Sequence, residues 1–177
     1  MTTSGVLGSA ASQVTMRFAD ITDLAAVAAM HGRCSPRSRY RRYMSGVAVP
    51  SRRHLVSLIA PRYGYAVVAE AGDGRIVGLG NLMWHRLAGD GEIALLVEDG
   101  WQRRGLGTAL LKRLHQLAGQ IGLGGVALHT HPDNIGLIRV VGALGAPARR
   151  RYADGVLTLT LAVPQGSGHR FPLREAQ

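Results

Sequence analysis

Residues 92–108 read Glu-Ile-Ala-Leu-Leu-Val-Glu-Asp-Gly-Trp-Gln-Arg-Arg-Gly-Leu-Gly-Thr, and this stretch decides the fold. Its apolar first half predicts a buried strand, and from Arg104 the apolar period becomes helical and continues to Ile121. A strand therefore runs through a glycine-rich turn into a helix N-terminus. Free N–H groups at a helix start attract negative charge, and glycine lets a phosphate approach the backbone closely. The stretch predicts an anion-binding site.

Two common nucleotide-binding loops do not fit this stretch. A Walker loop needs lysine followed by serine or threonine after its second glycine, whereas Leu106 and Gly107 follow Gly105. A dinucleotide fingerprint needs a third glycine, but residue 110 is leucine, and the next strand ends at His129 without the required acid. The anion is therefore expected to be of another kind.

The loop Gln102-Arg-Arg-Gly-Leu-Gly107 closely resembles the acetyl-CoA loop, Gln/Arg-x-x-Gly-x-Gly/Ala, of the GNAT superfamily of N-acyltransferases. The strand before it, the helix after it and a later helix that begins Asn134-x-x-x-Ile-Arg139 follow the order and spacing of that family. The resemblance implies a single α/β domain over residues 14–163. Its mixed, mostly antiparallel sheet would be flanked by helices, with one strand splayed at the acetyl-CoA site.

The resemblance also implies roles for individual residues toward acetyl-CoA. Backbone groups of Leu96 and Val97 would align the pantetheine arm as an added strand does. Asn134 would contact the pantetheine or the departing sulfur. The N–H groups of the loop and helix start would hold the pyrophosphate, with charge from Arg103 or Arg104; these residues are Gln102, Arg103, Arg104, Gly105, Leu106, Gly107 and Thr108.

One residue departs from the common pattern of the family. Many members carry a tyrosine seven residues after the asparagine, where it can protonate the departing thiolate, and this chain has Val141 there. Bacterial protein-lysine acetyltransferases also lack that tyrosine. Their Ser-Pro-x-Ser-x-Tyr-x-Arg-Phe helix is similar to the stretch from Ser35 to Tyr43, and Glu92 stands at the position of the glutamate that they are thought to use as a base.

Acetyl transfer to lysine needs a base, because an amine with a pKa near ~10.4 is almost fully protonated at neutral pH. Glu92 begins an otherwise apolar strand, so partial burial is expected to make its carboxylate a better base. The alternative is an edge-strand carboxylate that pairs with an arginine. The thiolate leaves easily, so the loss of the tyrosine need not abolish activity.

The net charge of +10 is carried almost entirely by arginine, since Lys112 is the only lysine among 21 basic residues. This excess predicts an anionic ligand or acidic partner, or only reflects the composition of the genome. Residues 31–54 hold seven arginines, two histidines and no acid. The segment is either a surface that guides an acidic acceptor or an amphipathic stretch whose arginines lie in water.

The remaining composition excludes several classes of protein. One cysteine, Cys34, allows no internal disulfide and has no evident base partner, and His129, His131 and Asp133 are too few for a metal site. No signal peptide or membrane span is evident, so we expect a cytoplasmic protein with flexible ends at 1–13 and 164–177. No recognition element for nucleic acid accompanies the basic charge.

The expected activity is acetyl transfer from acetyl-CoA to an amine, most simply a protein lysine, with Glu92 as general base. Transfer to a small amine is one alternative. A non-catalytic domain that binds acyl-CoA is the other, since the usual tyrosine is absent. Acceptor sites lie in variable loops, so the sequence does not choose among these.

Overall fold

The computed structural model describes residues 14–46, 50–84 and 89–163; the ends expected to be flexible, 1–13 and 164–177, lie outside these residues. The described chain forms seven strands and five α-helices, with two short 3-10 helices at Ile21–Asp23 and Asp99–Trp101. The strands and α-helices are β1 (Val14–Phe18), α1 (Leu24–Arg33), α2 (Pro36–Tyr43), α3 (Arg52–Ile59), β2 (Gly64–Ala71), β3 (Ile76–Trp84), β4 (Asp90–Val97), α4 (Leu106–Gln120), β5 (Gly125–Thr130), α5 (Ile135–Ala143), β6 (Ala148–Ala153) and β7 (Val156–Ala162).

All seven strands form one sheet in the order β1-β2-β3-β4-β5-β7-β6. Every neighbouring pair is antiparallel except β4 and β5, which are parallel. The mixed, mostly antiparallel sheet predicted from the sequence is therefore confirmed. Among the described residues, no helix has both the length and the apolar character that crossing a bilayer requires.

The sequence analysis missed strand β6, which forms the edge of the sheet. Its middle residues, Arg149 to Arg151, are exposed and charged, which is how edge strands avoid pairing with other chains. The turn between β6 and β7 nevertheless carries a sequence signal that indicates a hairpin. Asp154 and Gly155 both have positive φ, at 50° and 77°, and Asp-Gly is a preferred sequence for a two-residue hairpin turn of this kind.

Two apolar cores cover the two faces of the sheet. Helix α4 packs on one face, where Leu110 and Leu114 are fully buried against strand residues such as Leu82. Helices α1 and α3 cover the other face, where Met30 and Leu58 are buried. Burying a leucine side chain contributes about 1.5–3 kcal/mol, so each layer is held mainly by these contacts.

Glycine in β3 lets α4 approach the sheet closely. A Cβ atom added to Gly80 would come within 2.8 Å of Leu114 Cδ1. Because real Cβ atoms do not approach other carbon atoms so closely, a side chain at position 80 would force the buried Leu114 side chain to move.

Candidate functional site

A groove opens between β4 and β5, the one parallel pair in the sheet. These strands pair only where residues 90–92 lie beside residues 125–127. Beyond Glu92 they separate, while β4 stays paired with β3 up to Val97 and β5 stays paired with β7 up to Thr130. The predicted splay is therefore present, and it leaves one edge of β4 without a neighbouring strand. We call this cavity of about 650 Å³ the donor groove.

The glycine-rich loop ends the donor groove at the start of α4. Arg103 and Gly105 both have left-handed backbone conformations, with φ of 60° and 83°, which only glycine adopts without strain. Gly105 is the N-cap of α4 and provides no side chain to cap the helix. The first N–H groups of α4 thus have no partner within the helix, and the helix dipole adds positive potential there. The loop is suited to hold an anion.

Most of the predicted acetyl-CoA residues line the donor groove. Two do not: the side chain of Leu106 is buried in the core beneath α4, and the guanidinium of Arg104 lies 5.4 Å from the centre of the Trp101 ring. The predicted residues that line the groove are Leu96, Val97, Gln102, Arg103, Gly105, Gly107, Thr108 and Asn134. The sequence analysis missed further groove residues, among them Ser38, Arg41, Arg42 and Arg139.

The side chain of Asn134, which lines the donor groove, is fixed by hydrogen bonds within the chain. Its Oδ1 accepts a hydrogen bond from the Leu137 N–H and caps α5, and its Nδ2 donates to Thr130 Oγ1 at 2.8 Å. These bonds hold the amide between the end of β5 and the start of α5. Any contact from Asn134 to a ligand would therefore come from a side chain that is already fixed.

A hydrogen-bond network ties the N-terminus of α2 to the glycine-rich loop. The Asp99 carboxylate accepts from the Ser35 N–H and hydroxyl, both at 2.7 Å, and from the Ser38 hydroxyl at 2.9 Å. Gln102 Nε2 donates to Ser38 Oγ and to the Val97 carbonyl. Partial burial opposes the charge of Asp99, but these hydrogen bonds outweigh it and hold the pKa of the carboxyl below its ordinary value. We call this network the α2 clamp.

A second cavity, of about 370 Å³, lies at the other end of α2. We call it the acceptor pocket. It brings together the end of α2, helix α3 and the end of β3, which are distant in the sequence. Its lining residues are Arg42, Tyr43, His54, Ser57, Leu58, Pro61, Arg62, Tyr63, Met83 and Trp84.

Arg42 lines both cavities and is the residue they share. Its Nη2 donates to Asn81 Oδ1 at 2.9 Å, and its buried Nε has no hydrogen-bond partner among the described residues. Asn81 is fully buried and donates in turn to the Leu58 carbonyl. Burial lowers the pKa of Arg42, while the nearby Glu92 carboxylate opposes that shift. A guanidinium stays charged even so, and a fixed cation therefore stands where the two cavities meet.

Glu92 lies next to this junction. It sits at the last position where β4 pairs with β5, and on its other side it is directly opposite Met83, which lines the acceptor pocket. Residues directly opposite in an antiparallel pair point to the same face of the sheet. Glu92 is exposed, however, so the partial burial expected from the sequence is not observed. The expected alternative, a close ion pair with arginine, is also not found among the described ion pairs.

The position where many relatives carry a tyrosine faces the core. Val141 is buried at 3% exposure beneath α5 and belongs to the apolar core under α4. Val141 is not among the residues that line the donor groove.

The arginines of residues 31–54 divide into two groups. Arg33 pairs with Glu98 at 2.9 Å, Arg39 donates to the carbonyls of Cys34 and His31, and Arg41 contacts Asp133 across the groove. With Arg42, four of the seven arginines thus bind groups of the chain itself. Arg37, Arg52 and Arg53 are exposed, and residues 47–49 of the segment lie outside the described residues.

The described structure gives no role in the site to Cys34 as a nucleophile or to histidine as a metal ligand. Cys34 is buried, which raises the pKa of its thiol to about 12, so it stays protonated and unreactive. His31 is also buried; its Nδ1 donates to the Val27 carbonyl, and its Nε2 accepts from the Tyr43 hydroxyl at 2.6 Å. Within the ranges that the structure describes, no three side chains are grouped to hold a metal ion.

Comparison with known proteins finds solved structures that share the fold of this chain. The GNAT domain of Streptomyces lividans PAT superposes with a TM-score of 0.77, at 22% identity over 85% of this chain and 90% of that one. The protein YncA of Salmonella typhimurium, solved with its cofactor acetyl-CoA, superposes with a TM-score of 0.70, at 21% identity over 88% and 96% of the two chains. At these identities the likeness concerns the fold.

Sequence comparison finds a closer but shorter match. A mycothiol acetyltransferase of Geodermatophilus obscurus is 44% identical over 59 residues, which are 33% of this chain and only 19% of the relative. The model of the acetyltransferase (GNAT) family matches residues 27–146, and that range includes α2, the donor groove and Glu92. This chain therefore belongs to the GNAT family of acetyltransferases, as the sequence analysis predicted.

Proposed function

We propose that this chain transfers an acetyl group from acetyl-CoA to an amine, and that the amine is the side chain of a protein lysine. The observation that carries the proposal is the meeting of the donor groove and the acceptor pocket at Arg42, with Glu92 beside it. A thioester that lies along β4 would present its carbonyl at this junction. An amine in the acceptor pocket would then face it.

The donor side follows from the geometry of the groove and the chemistry of the family. The free N–H groups at the start of α4, with Arg103 beside them, would hold the pyrophosphate. The unpaired edge of β4 at Leu96 and Val97 would bind the pantetheine arm, since amide groups can pair with a strand edge. The fixed amide of Asn134 would contact the pantetheine near the sulfur.

The transfer needs one proton acceptor and one easily departing group. The amine nitrogen attacks the thioester carbonyl, the new C–N bond forms, and the C–S bond breaks. The proton of the amine goes to the Glu92 carboxylate, directly or through one water molecule, and CoA leaves as a thiolate that solvent protonates. A thiolate with a pKa near ~8.5 needs no general acid, which agrees with valine at position 141.

A lysine acceptor is supported by the α2 segment, which is similar to the corresponding helix of bacterial protein-lysine acetyltransferases. Ser35 and Ser38 of this segment form the α2 clamp, and Arg42 reaches the acceptor pocket. A small amine is the second candidate, because the acceptor pocket is a concave cavity that a small molecule can fill.

The test of the general base is the Glu92→Gln variant at saturating acetyl-CoA. We expect kcat at neutral pH to fall about hundredfold or more, as loss of a general base does. Asp73→Asn is the matched control, since it removes one carboxylate from the exposed β2–β3 turn, away from both cavities. An unchanged kcat in Glu92→Gln would overturn the role of Glu92 as base.

The acceptor is tested by release of CoA thiol with lysine-containing peptides and a panel of small amines. Mass spectrometry of the products locates the acetyl group. The enzyme itself contributes only one lysine, the exposed Lys112, so a Lys112→Arg variant removes self-acetylation of side chains as a source of signal. Acetyl-CoA that raises Tm without turnover of any amine would favour a non-catalytic acyl-CoA-binding domain.

A further inference from the structure

The charge of the acceptor pocket is unusual for a site that binds an amine. Among the described residues, its lining contains Arg42, Arg62 and His54 and no aspartate or glutamate, and the rest is aromatic or apolar apart from Ser57. Among the described residues, Glu92 is the carboxylate that stands beside the pocket, and it does not line it. A protonated amine or a polyamine entering this pocket would meet two guanidinium groups of like charge.

Arg42 is built into the wall of the pocket and is not a mobile surface group. Asn81, in the middle of β3, fixes one end of the guanidinium, and the Leu58 carbonyl fixes Asn81 at 2.6 Å. The guanidinium also lies 5.1 Å from the centre of the Tyr43 ring. Tyr43 is held in turn by its hydrogen bond to His31. Helices α1, α2 and α3 and strand β3 therefore all contribute to the position of one cation.

This cation is incompletely satisfied within the described part of the chain. Its buried Nε has no hydrogen-bond partner, and no described carboxylate lies within ion-pair distance of it, although Glu92 stands close enough to favour its charge. Burying a charge without a partner is costly, and the cost is offset when an anion binds. Arg62, at the exposed side of the same pocket, adds a second cation with the fork of donors that suits a carboxylate.

We propose that the acceptor carries a carboxylate about one lysine side-chain length from its amine, and that Arg42 and Arg62 bind this carboxylate while the amine faces Glu92 and the donor groove. The inference rests on the proposed function, since it names the acceptor of the same site. The aromatic rings of the pocket would cover the carbon chain between the two groups. The carboxylate is either that of a free amino acid or that of an acidic residue beside a lysine in a protein.

The experiment compares acceptors that differ only in this one charge, at saturating acetyl-CoA and with CoA thiol as readout. The small-molecule arm sets 6-aminohexanoate against 6-aminohexanamide, with cadaverine as the acceptor that adds a positive charge. The peptide arm sets a blocked peptide with Lys-Asp against the same peptide with Lys-Asn. Within the arm that matches the true source, we expect kcat/KM to favour the carboxylate at least about tenfold, as a charge-assisted hydrogen bond would give.

Variants of the two arginines test whether they cause the preference for a carboxylate over an amide. In Arg62→Gln, at an exposed residue whose loss does not threaten the fold, the ratio of carboxylate to amide should fall severalfold. In Arg42→Gln it should fall to about one. Arg53→Gln, which removes an exposed arginine of α3 outside both cavities, should keep the ratio of the unmodified enzyme. A rise in Tm with acetyl-CoA shows that each variant is folded and binds its donor; if Arg42→Gln fails this check, Arg62→Gln decides.

The outcomes separate the inference from the function on which it rests. Equal turnover of carboxylates and amides in both arms, or a preference for cadaverine, overturns the carboxylate site and leaves acetyl transfer intact. An unchanged ratio in Arg62→Gln and in folded Arg42→Gln also overturns it. Absence of turnover with every amine overturns the proposed function, and the inference with it.

Discussion

The donor groove and the acceptor pocket meet at one side chain but are built in different ways. The donor groove is formed by backbone: a splayed strand edge, two left-handed residues at Arg103 and Gly105, and a helix start without a side-chain cap. The acceptor pocket is formed by side chains of α2, α3 and β3. A ligand common to a whole family can be bound by backbone, whereas an individual ligand must be distinguished by side chains.

Helix α2 joins the two regions. Its N-terminus is held to the glycine-rich loop by the α2 clamp, and its C-terminus carries Arg42 and Tyr43 into the acceptor pocket. A shift of α2 would therefore change both cavities together. This contrast predicts large effects from backbone changes at the donor groove and smaller effects from its side chains.

The largest effect is expected from Gly107→Leu. Gly107 lines the donor groove, and a Cβ atom there would already lie 3.2 Å from Val140 Cγ2, so a leucine side chain has no room except in the groove. We expect the Kd for acetyl-CoA, measured by calorimetry, to rise at least about hundredfold, or about 2.7 kcal/mol. The control is Gly32→Leu in the exposed face of α1, where nothing lies within 4 Å. Equal affinities in the two variants would contradict a groove formed by backbone.

The next effect concerns the missing tyrosine. Val141→Tyr restores the residue that many relatives carry, but here it would force a ring into a filled core. We expect the free energy of unfolding, measured in urea, to fall by about 2 kcal/mol, the usual cost of overpacking. The variant should also show no gain in kcat. Arg150→Tyr on the exposed strand β6 should leave stability almost unchanged. A faster and fully stable Val141→Tyr enzyme would show that α5 can present a general acid to the groove.

A smaller effect is expected from the charges of the loop. Arg103→Gln should raise the KM for acetyl-CoA about fivefold, because Arg103 lines the groove but is exposed and screened by solvent. Arg104→Gln should change KM less than about twofold, since its guanidinium lies over Trp101. The difference between the two variants should shrink at high salt. The reverse order of effects would assign the pyrophosphate to Arg104.

The smallest effect is expected from the α2 clamp. Asp99→Asn should lower the free energy of unfolding at pH 7 by about 1 kcal/mol, because three hydrogen bonds to its carboxylate are weakened. The folded state holds the pKa of Asp99 below its ordinary value. The stabilising contribution is therefore complete above the unfolded pKa of ~3.9 and is lost as pH falls through the folded pKa.

Unfolding in urea across the acidic range checks this pH dependence. The difference between the unmodified chain and Asp99→Asn should be present at pH 7 and should shrink as pH falls below ~3.9. Asp154→Asn, in the left-handed turn between β6 and β7, should show no such difference, since asparagine also tolerates that conformation. A gap between the unmodified chain and Asp99→Asn that grows on acidification would contradict the clamp.

Much of the fold was predictable because its signals are local. The stretch from Glu92 to Thr108 predicted the strand, the loop and the helix around the donor groove. Strand β6 was missed because its arginines look like loop or surface residues until β7 is placed beside it. The expectation for Glu92 failed in one respect, since an apolar strand does not reveal that the neighbouring strand turns away.

The sequence by itself determined the family, the donor loop and the absence of the usual tyrosine, because each is written in contiguous residues at fixed spacing. Only the tertiary structure decided which of the many arginines line the two cavities. Arg42 becomes a half-buried cation, with an Nε that has no partner among the described residues, where Asn81, 39 residues away, meets it across the fold. Such a site depends on burial and on long-range contacts, and neither property belongs to a residue until the chain has folded.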